Sequence, residues 1–137
     1  MRKRVIRVVI DTNWWISFVI NSYKSQLTTV LLHPNIEIYS CEELAQEIFK
    51  TLDDANLQKY IQPSVKEEFI RLYPSVVNTI VVQSKVTACR DPKDNFLLAL
   101  SKDAKALYLI TGDKDLLSLN KFGKTAIVTM SEFLRIH

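Results

Sequence analysis

The chain has 137 residues, 47% of them hydrophobic, and a net charge of +3. That length supplies one substantial core and little room for another, so residues 1–137 are expected to form a single domain. No apolar run approaches the ~20 residues that span a bilayer, and Arg7 and Asp11 break the segment behind the basic Arg2-Lys3-Arg4, so no membrane helix and no signal peptide are expected and the default is a cytoplasmic protein.

The first predicted element is the β-branched run Val5-Ile6-Arg7-Val8-Val9-Ile10, which stops at Asp11 and reads as a buried strand. Trp14 to about Val30 mixes apolar and polar residues as a helix does. Ile36-Glu37-Ile38-Tyr39 alternates like a second strand, and Ser40 stands where an N-cap belongs. Glu42 to Leu52 follows with Leu44, Ile48 and Leu52 at helical spacing. Pro63 suits the start of another helix through Tyr73. Thr79-Ile80-Val81-Val82 is a third strand. Asp91-Pro92 opens a helix to about Lys105, with Phe96, Leu97, Leu100 and Ala104 inward. Leu107-Tyr108-Leu109-Ile110 is a fourth strand, ending at Thr111-Gly112-Asp113. Ala126-Ile127-Val128 is a fifth, and Ser131 caps a terminal helix. Strands alternating with helices imply a parallel sheet covered on both faces.

Residue inventory excludes several chemistries. Cys41 and Cys89 are too few for a disulfide framework or a thiolate zinc site and are expected to be reduced and packed. His33 and His137 are far apart, which disfavours imidazole zinc sites and a serine–histidine–aspartate triad. Gly112 and Gly123 are the only glycines, against an average usage of about 7%, so neither a dinucleotide fingerprint nor a phosphate-cradling loop can be built.

What remains is carboxylates. In open parallel sheets ligands bind beyond the C-terminal strand ends, where strand order reverses. Asp11 follows the first strand and Asp113 the fourth, so both fall at that edge if the strands are neighbours. Either aspartate taken singly also suits a helix cap. Glu47 lies in the second-strand helix bracketed by Leu44, Ile48 and Leu52, at the border of the buried face, with Glu43 one turn before it and Glu42 pointing elsewhere. Asp91 and Asp94 stand in a first helical turn. The helix dipole welcomes both there, and for Asp91 that role weighs equally with a metal-facing one, whereas Asp94 reads as metal-facing. Carboxylates crowded into one notch repel, by roughly 4 kcal/mol per pair at ~4 Å and an effective dielectric near 20, so they call for a cation. An all-oxygen ligand set selects Mg²⁺ or Mn²⁺, which suits phosphodiester hydrolysis without a protein nucleophile.

In order and spacing the stretches Ile10-Asp11-Thr12-Asn13, Ser40-Cys41-Glu42-Glu43-Leu44-Ala45-Gln46-Glu47-Ile48, Asp91-Pro92-Lys93-Asp94-Asn95-Phe96-Leu97-Leu98-Ala99-Leu100 and Leu109-Ile110-Thr111-Gly112-Asp113-Lys114-Asp115-Leu116-Leu117 make the chain resemble the PIN-domain family of nucleases. Arg90-Asp91-Pro92-Lys93-Asp94 and Thr111-Gly112-Asp113-Lys114-Asp115 are similar to the prokaryotic toxin components of toxin–antitoxin pairs. The resemblance implies a three-layer α/β/α fold around a five-stranded, mostly parallel sheet. It implies that Asp11, Glu47, Asp94 and Asp113 form an acidic quartet for Mg²⁺ or Mn²⁺. Asn13 and Thr111 would be supporting polar residues, and Asp115 and Asp91 acids standing behind the quartet. It further implies endoribonuclease activity on single-stranded RNA, a homodimer, and a cognate antitoxin protein covering the cleft.

Trp14 and Trp15 depart from the small aliphatic residues usual after Asp-Thr-Asn. They read as core and dimer contacts, with base stacking beside the metal as the other use. Lys93, Lys102 and Lys114 lie near the acids in sequence, though solvated surface is the plainer reading for each. Two other functions compete. One is a catalytically silent PIN-fold module that binds RNA or protein. The other is a phosphatase of the haloacid-dehalogenase sort, disfavoured because Asn13 stands where its second acid belongs.

Overall fold

The apolar N-terminal run forms β1 (Ile6–Ile10), and Val8, Val9 and Ile10 have no exposed surface. Successive strand residues point to opposite faces, so a fully buried run means that both faces are covered. The computed structural model describes residues 4–88 and 91–137, with the backbone alone at Lys93. Cys89, Arg90 and the first three residues lie outside the described residues, and with them the expectation placed on Cys89 and the Arg90 end of the stretch before Asp94.

β1 is followed by α1 (Thr12–Ile20) and α2 (Gln26–Leu32), then by β2 (Ile36–Ser40) and α3 (Glu42–Leu52). A short 3-10 turn leads to α4 (Pro63–Val76) and β3 (Asn78–Thr79). Another 3-10 turn, Pro92–Asp94, runs into α5 (Asn95–Asp103) and β4 (Tyr108–Ile110). The chain ends with α6 (Lys114–Leu117), β5 (Lys121–Phe122), β6 (Thr125–Val128) and α7 (Met130–Ile136). The strands form one sheet in the order β3-β2-β1-β4-β6-β5. All pairs are parallel except β5 with β6. The three-layer α/β architecture expected from sequence is therefore present, with an antiparallel edge strand added to the five foreseen.

Several boundaries differ for identifiable reasons. The helix expected over 14–30 is two helices, because Ser22 and Tyr23 take left-handed backbone at φ 50° and 70° and Ser25 then caps α2. Ser40 caps nothing. It ends β2, and its hydroxyl lies 2.7 Å from that of Tyr73, while Cys41 occupies the N-cap position without a side-chain bond. The third strand stops early: Ile80 still donates to Ser40, but Val81 is 83% exposed. The Asp103 carboxylate takes the N–H groups of Gln83 and Ser84 instead, pulling that segment off the sheet. α7 is capped by Thr129 in a reciprocal box with Glu132, so Ser131 lies inside the helix.

The core of α1, α3 and α4 is aromatic. Trp15, 1% exposed, meets Tyr73 edge-on at 5.1 Å and also contacts Phe18 and Phe69. Trp14 is half-buried against the same core. Burial pushes the Cys41 thiol up to about 11, so it stays protonated, as its packed position requires.

Candidate active site

β1 sits between β2 and β4, so the chain leaves β1 in one direction for β2 and β3 and crosses back for β4. Strand order thus reverses between β1 and β4, and the exits of these two strands are adjacent, with Ile10 paired to Ile110. Asp11 leaves one exit and Thr111-Gly112-Asp113 the other.

Asp11 is 9% exposed and both its oxygens accept hydrogen bonds. Oδ1 takes the Thr12 N–H at 2.6 Å, which caps α1, and Oδ2 takes the Thr111 hydroxyl at 2.5 Å. The same Thr111 oxygen accepts the Asp113 N–H at 3.0 Å. Thr111 is fully buried, and its hydroxyl joins the two strand exits. Asp113 Oδ1 in turn accepts the N–H groups of Asp115 and Leu116 at 2.8 and 3.2 Å and caps α6. Both aspartates therefore do what the plain capping reading asks. Each carboxylate oxygen has a second lone pair, so capping leaves capacity for a cation.

Asp94 differs. It ends the 3-10 turn and stands at the N-cap of α5, but its side chain bonds no helical N–H. Its Oδ2 is buried without a hydrogen-bond partner. Burial, then repulsion from Asp113, Asp11 and Asp91, and last a side-chain hydrogen bond with Asp113, pushes this carboxyl up to about 7. Asp91 thus belongs to the same field of charge, and its carbonyl accepts the Asp94 N–H at 3.0 Å.

Glu47 lies on the exposed side of α3, within electrostatic reach of Thr12 and Asp11. Burial raises its carboxyl above the ordinary range and Asp11 adds repulsion, while the neighbouring Thr12 hydroxyl holds it down. The Thr12 hydroxyl oxygen is itself buried and short of full hydrogen-bond geometry, so we read this as a close polar contact. Asp11 is likewise raised, by burial first, with its bonds from Thr111 and Thr12 opposing and Asp113 adding repulsion.

Asp11, Glu47, Asp94 and Asp113 are thus electrostatic neighbours, linked through Asp11. Asn13 lies exposed on the first turn of α1, apart from that hydrogen-bond chain. Asp115 contributes its backbone N–H to the cap of α6. Among the described residues no three acids are already disposed as ligands of one metal ion. Thr12 was not foreseen as part of the notch. Its signal was modest: a β-branched hydroxyl in the turn directly after a strand-ending acid. Of the lysines near the acids in sequence, Lys114 is exposed in the first turn of α6, and Lys102 is carried to the far end of α5.

A family model described as the PIN domain matches residues 7–115, which take in every one of these acids. The chain belongs to the PIN-domain family. PIN domains are generally metal-dependent nucleases using divalent cations. This PIN domain is 34% identical over 128 residues to the uncharacterized protein MJ1680 of Methanocaldococcus jannaschii, covering 90% of this chain and 81% of that protein. Its fold is similar to the structure of the PIN domain endonuclease Utp24, with a TM-score of 0.53 and 18% identity over 88% of this chain and 82% of that one.

The donor chemistry of the notch of this PIN domain suits a hard divalent cation. The donors are carboxylate oxygens, one of them buried without a donor, and neighbouring negative charge helps raise the carboxyls of Asp94, Asp11 and Glu47. A cation removes both costs at once.

Proposed function

We propose that this protein is a metal-dependent endoribonuclease that hydrolyses single-stranded RNA. Asp11, Glu47, Asp94 and Asp113 would hold Mg²⁺ or Mn²⁺, and the observation that carries the reading is the orphaned Asp94 oxygen within a cluster of like charges. Bound there, the cation would supply Lewis acidity toward a phosphodiester and charge neutralisation between substrate and acids.

The chain's own residues divide the remaining work. Thr111 orients Asp11 and, through the Asp113 N–H, fixes the start of α6 in the same bond chain. Asp113 is locked by its cap, so its second oxygen has a defined direction. Below about pH 7 the metal-free Asp94 holds a proton that a cation would have to displace, which makes binding favour higher pH. Thr12 sits between Asp11 and Glu47 and steadies the latter. Asn13, exposed beside the notch, is available to the substrate, and Asp91 and Asp115 reinforce the negative field.

Calorimetric titration of Mn²⁺ and cleavage of a labelled single-stranded RNA test the reading together. We expect Mn²⁺ uptake and cleavage, both lost in Asp94→Asn and Asp11→Asn. No heat at millimolar Mn²⁺ would leave the silent module as the better account.

The finer role follows the stretches around Asp94 and Asp113. We read the protein as the toxin of a type II toxin–antitoxin pair, cytoplasmic, homodimeric, with residues 1–137 folding as one PIN domain. An antitoxin covering the notch would hold it inactive. Among the described residues no helix is long and apolar enough to cross a membrane. Light scattering reads the dimer, and expression with and without the neighbouring small open reading frame reads the toxicity.

A further inference from the structure

The notch poses a problem for the substrate assigned to it, because clustered acids repel the phosphates of the RNA they would cut. Binding strength for a polyanion must come largely from cations. Among the described residues, three of these share one cleft at the opposite rim of the sheet. There a 690 Å³ cleft opens between the end of α5 and the β5–β6 hairpin, rimmed by Lys102, Lys105 and Lys124 above an apolar floor that includes Leu107 and Phe122. α5 joins the two places. Asp94 precedes its first turn, Lys102 lies in its last, and its nine residues span about 13 Å.

Two of the three lysines stand on fixed backbone. Lys105 follows the C-terminus of α5 with φ at +55°, in the left-handed region where glycine is the unstrained choice. The helix end is closed by Ala106 N–H to Ser101 and Lys105 N–H to Lys102, at 2.9 and 3.1 Å. A lysine in that position strains the backbone and does nothing for the cap that glycine would not do better. Strain of this kind gathers at functional positions. Lys124 stands in the two-residue turn between Phe122 and Thr125, a turn that needs Gly123 at φ +59°. The acid nearest in sequence, Asp103, feels Lys102 but gives both its oxygens to Ser84 and Gln83. Lys105 and Lys124 have no such counter-charge in the lining of the cleft.

We propose that this cleft is a second RNA-binding site, in which Lys105 and Lys124 hold phosphates of the strand whose cleavage occurs at the notch and Phe122 offers a face to a base. The proposal rests on the ribonuclease reading and names where that enzyme acquires its grip on substrate. Single-stranded RNA is favoured over an acidic protein segment because the cleft shares a helix with the acids, so one extended strand can serve both.

The test is fluorescence anisotropy in EDTA with single-stranded RNAs of about six and about 20 nucleotides, lengths on either side of one binding footprint. Wild-type protein should bind the long RNA more tightly. The double variant Lys105→Gly/Lys124→Gln should lose that length advantage, and its log–log salt slope should fall by about 1.4, or ~0.7 for each phosphate contact removed. Lys105→Arg should retain the advantage. Lys105→Gly alone should melt no lower than wild type, since it relieves the strained backbone, which separates lost binding from lost folding. Unchanged affinity and slope in a folded double variant would overturn the proposal. So would a glutamate- and phenylalanine-rich peptide that binds wild type and not the variant while RNA binding is equal in both, because the cleft would then dock protein. Failure of the protein to cleave RNA with Mn²⁺ would sink the ribonuclease reading and leave this metal-free measurement standing.

Discussion

Asp94 ends a 3-10 turn at a position where most aspartates would cap the helix ahead, and it does not. Its raised carboxyl gives the sign of the pH dependence. The folded protein keeps this proton up to about 7, while the unfolded chain releases it near the ordinary 3.8. Over that interval the folded state binds more protons, so metal-free stability should fall as pH rises through it. Thermal melts in EDTA between pH 4.5 and 8 check this, and Asp94→Asn should flatten the curve while raising the melting temperature at the alkaline end. The same variant should weaken Mn²⁺ binding by more than about 100-fold, the upper loss that even outer partners of ligands cause. Thr111→Val tests the hydroxyl between the strand exits. It leaves the Asp11 Oδ2 and the Asp113 N–H each one partner short, a cost of about 1–3 kcal/mol for a buried group, and should reduce Mn²⁺ affinity roughly 10- to 100-fold.

At the scale of elements, caps and cores give sharper forecasts than propensity. Thr129→Ala removes the reciprocal box of α7 and should cost about 1 kcal/mol, whereas Ser131→Ala, on the exposed side, should be nearly neutral in urea unfolding. Trp15→Ala opens a cavity among Tyr73, Phe69 and Phe18 and should cost roughly 3–5 kcal/mol, with Trp14→Ala milder. These elements also show where sequence patterns stop working. β1 and α3 were legible because a continuous β-branched run and a helical repeat of Leu44, Ile48 and Leu52 each outlast the local noise. β5 and α6 were not, since two and four residues are too short to show a period. Val81 and Val82 carry strand-like residues, but nothing in their own chemistry reveals that Asp103 diverts the segment just after them.

For the whole molecule, the topological step that mattered was the adjacency of β1 and β4. Alternating strands and helices made a switch point expected, and Asp11 and Asp113 marked its rim. What sequence could not carry was the state of each acid: which carboxylates double as caps, and which oxygen is left buried without a donor. Those depend on contacts between Asp11 and Thr111, 100 positions apart. A cation that binds only the folded notch should stabilise the protein globally. At a hundredfold excess over Kd the gain is about 2.7 kcal/mol. Scanning calorimetry with Mn²⁺ should show a rise of roughly 10 °C at pH 7.5, and a much smaller one at pH 5, where Asp94 is protonated.

The Thr111 hydroxyl also sets an order of events during synthesis. Asp11 is made 100 residues before Thr111, so the strand that flanks β1 on its β4 side emerges well after β1 itself. Until it does, the sheet has a raw edge at its centre, and such non-local parallel pairing forms slowly. A growing chain therefore carries Asp11 and Asp113 apart, and the rim they share exists only once β4 has paired with β1.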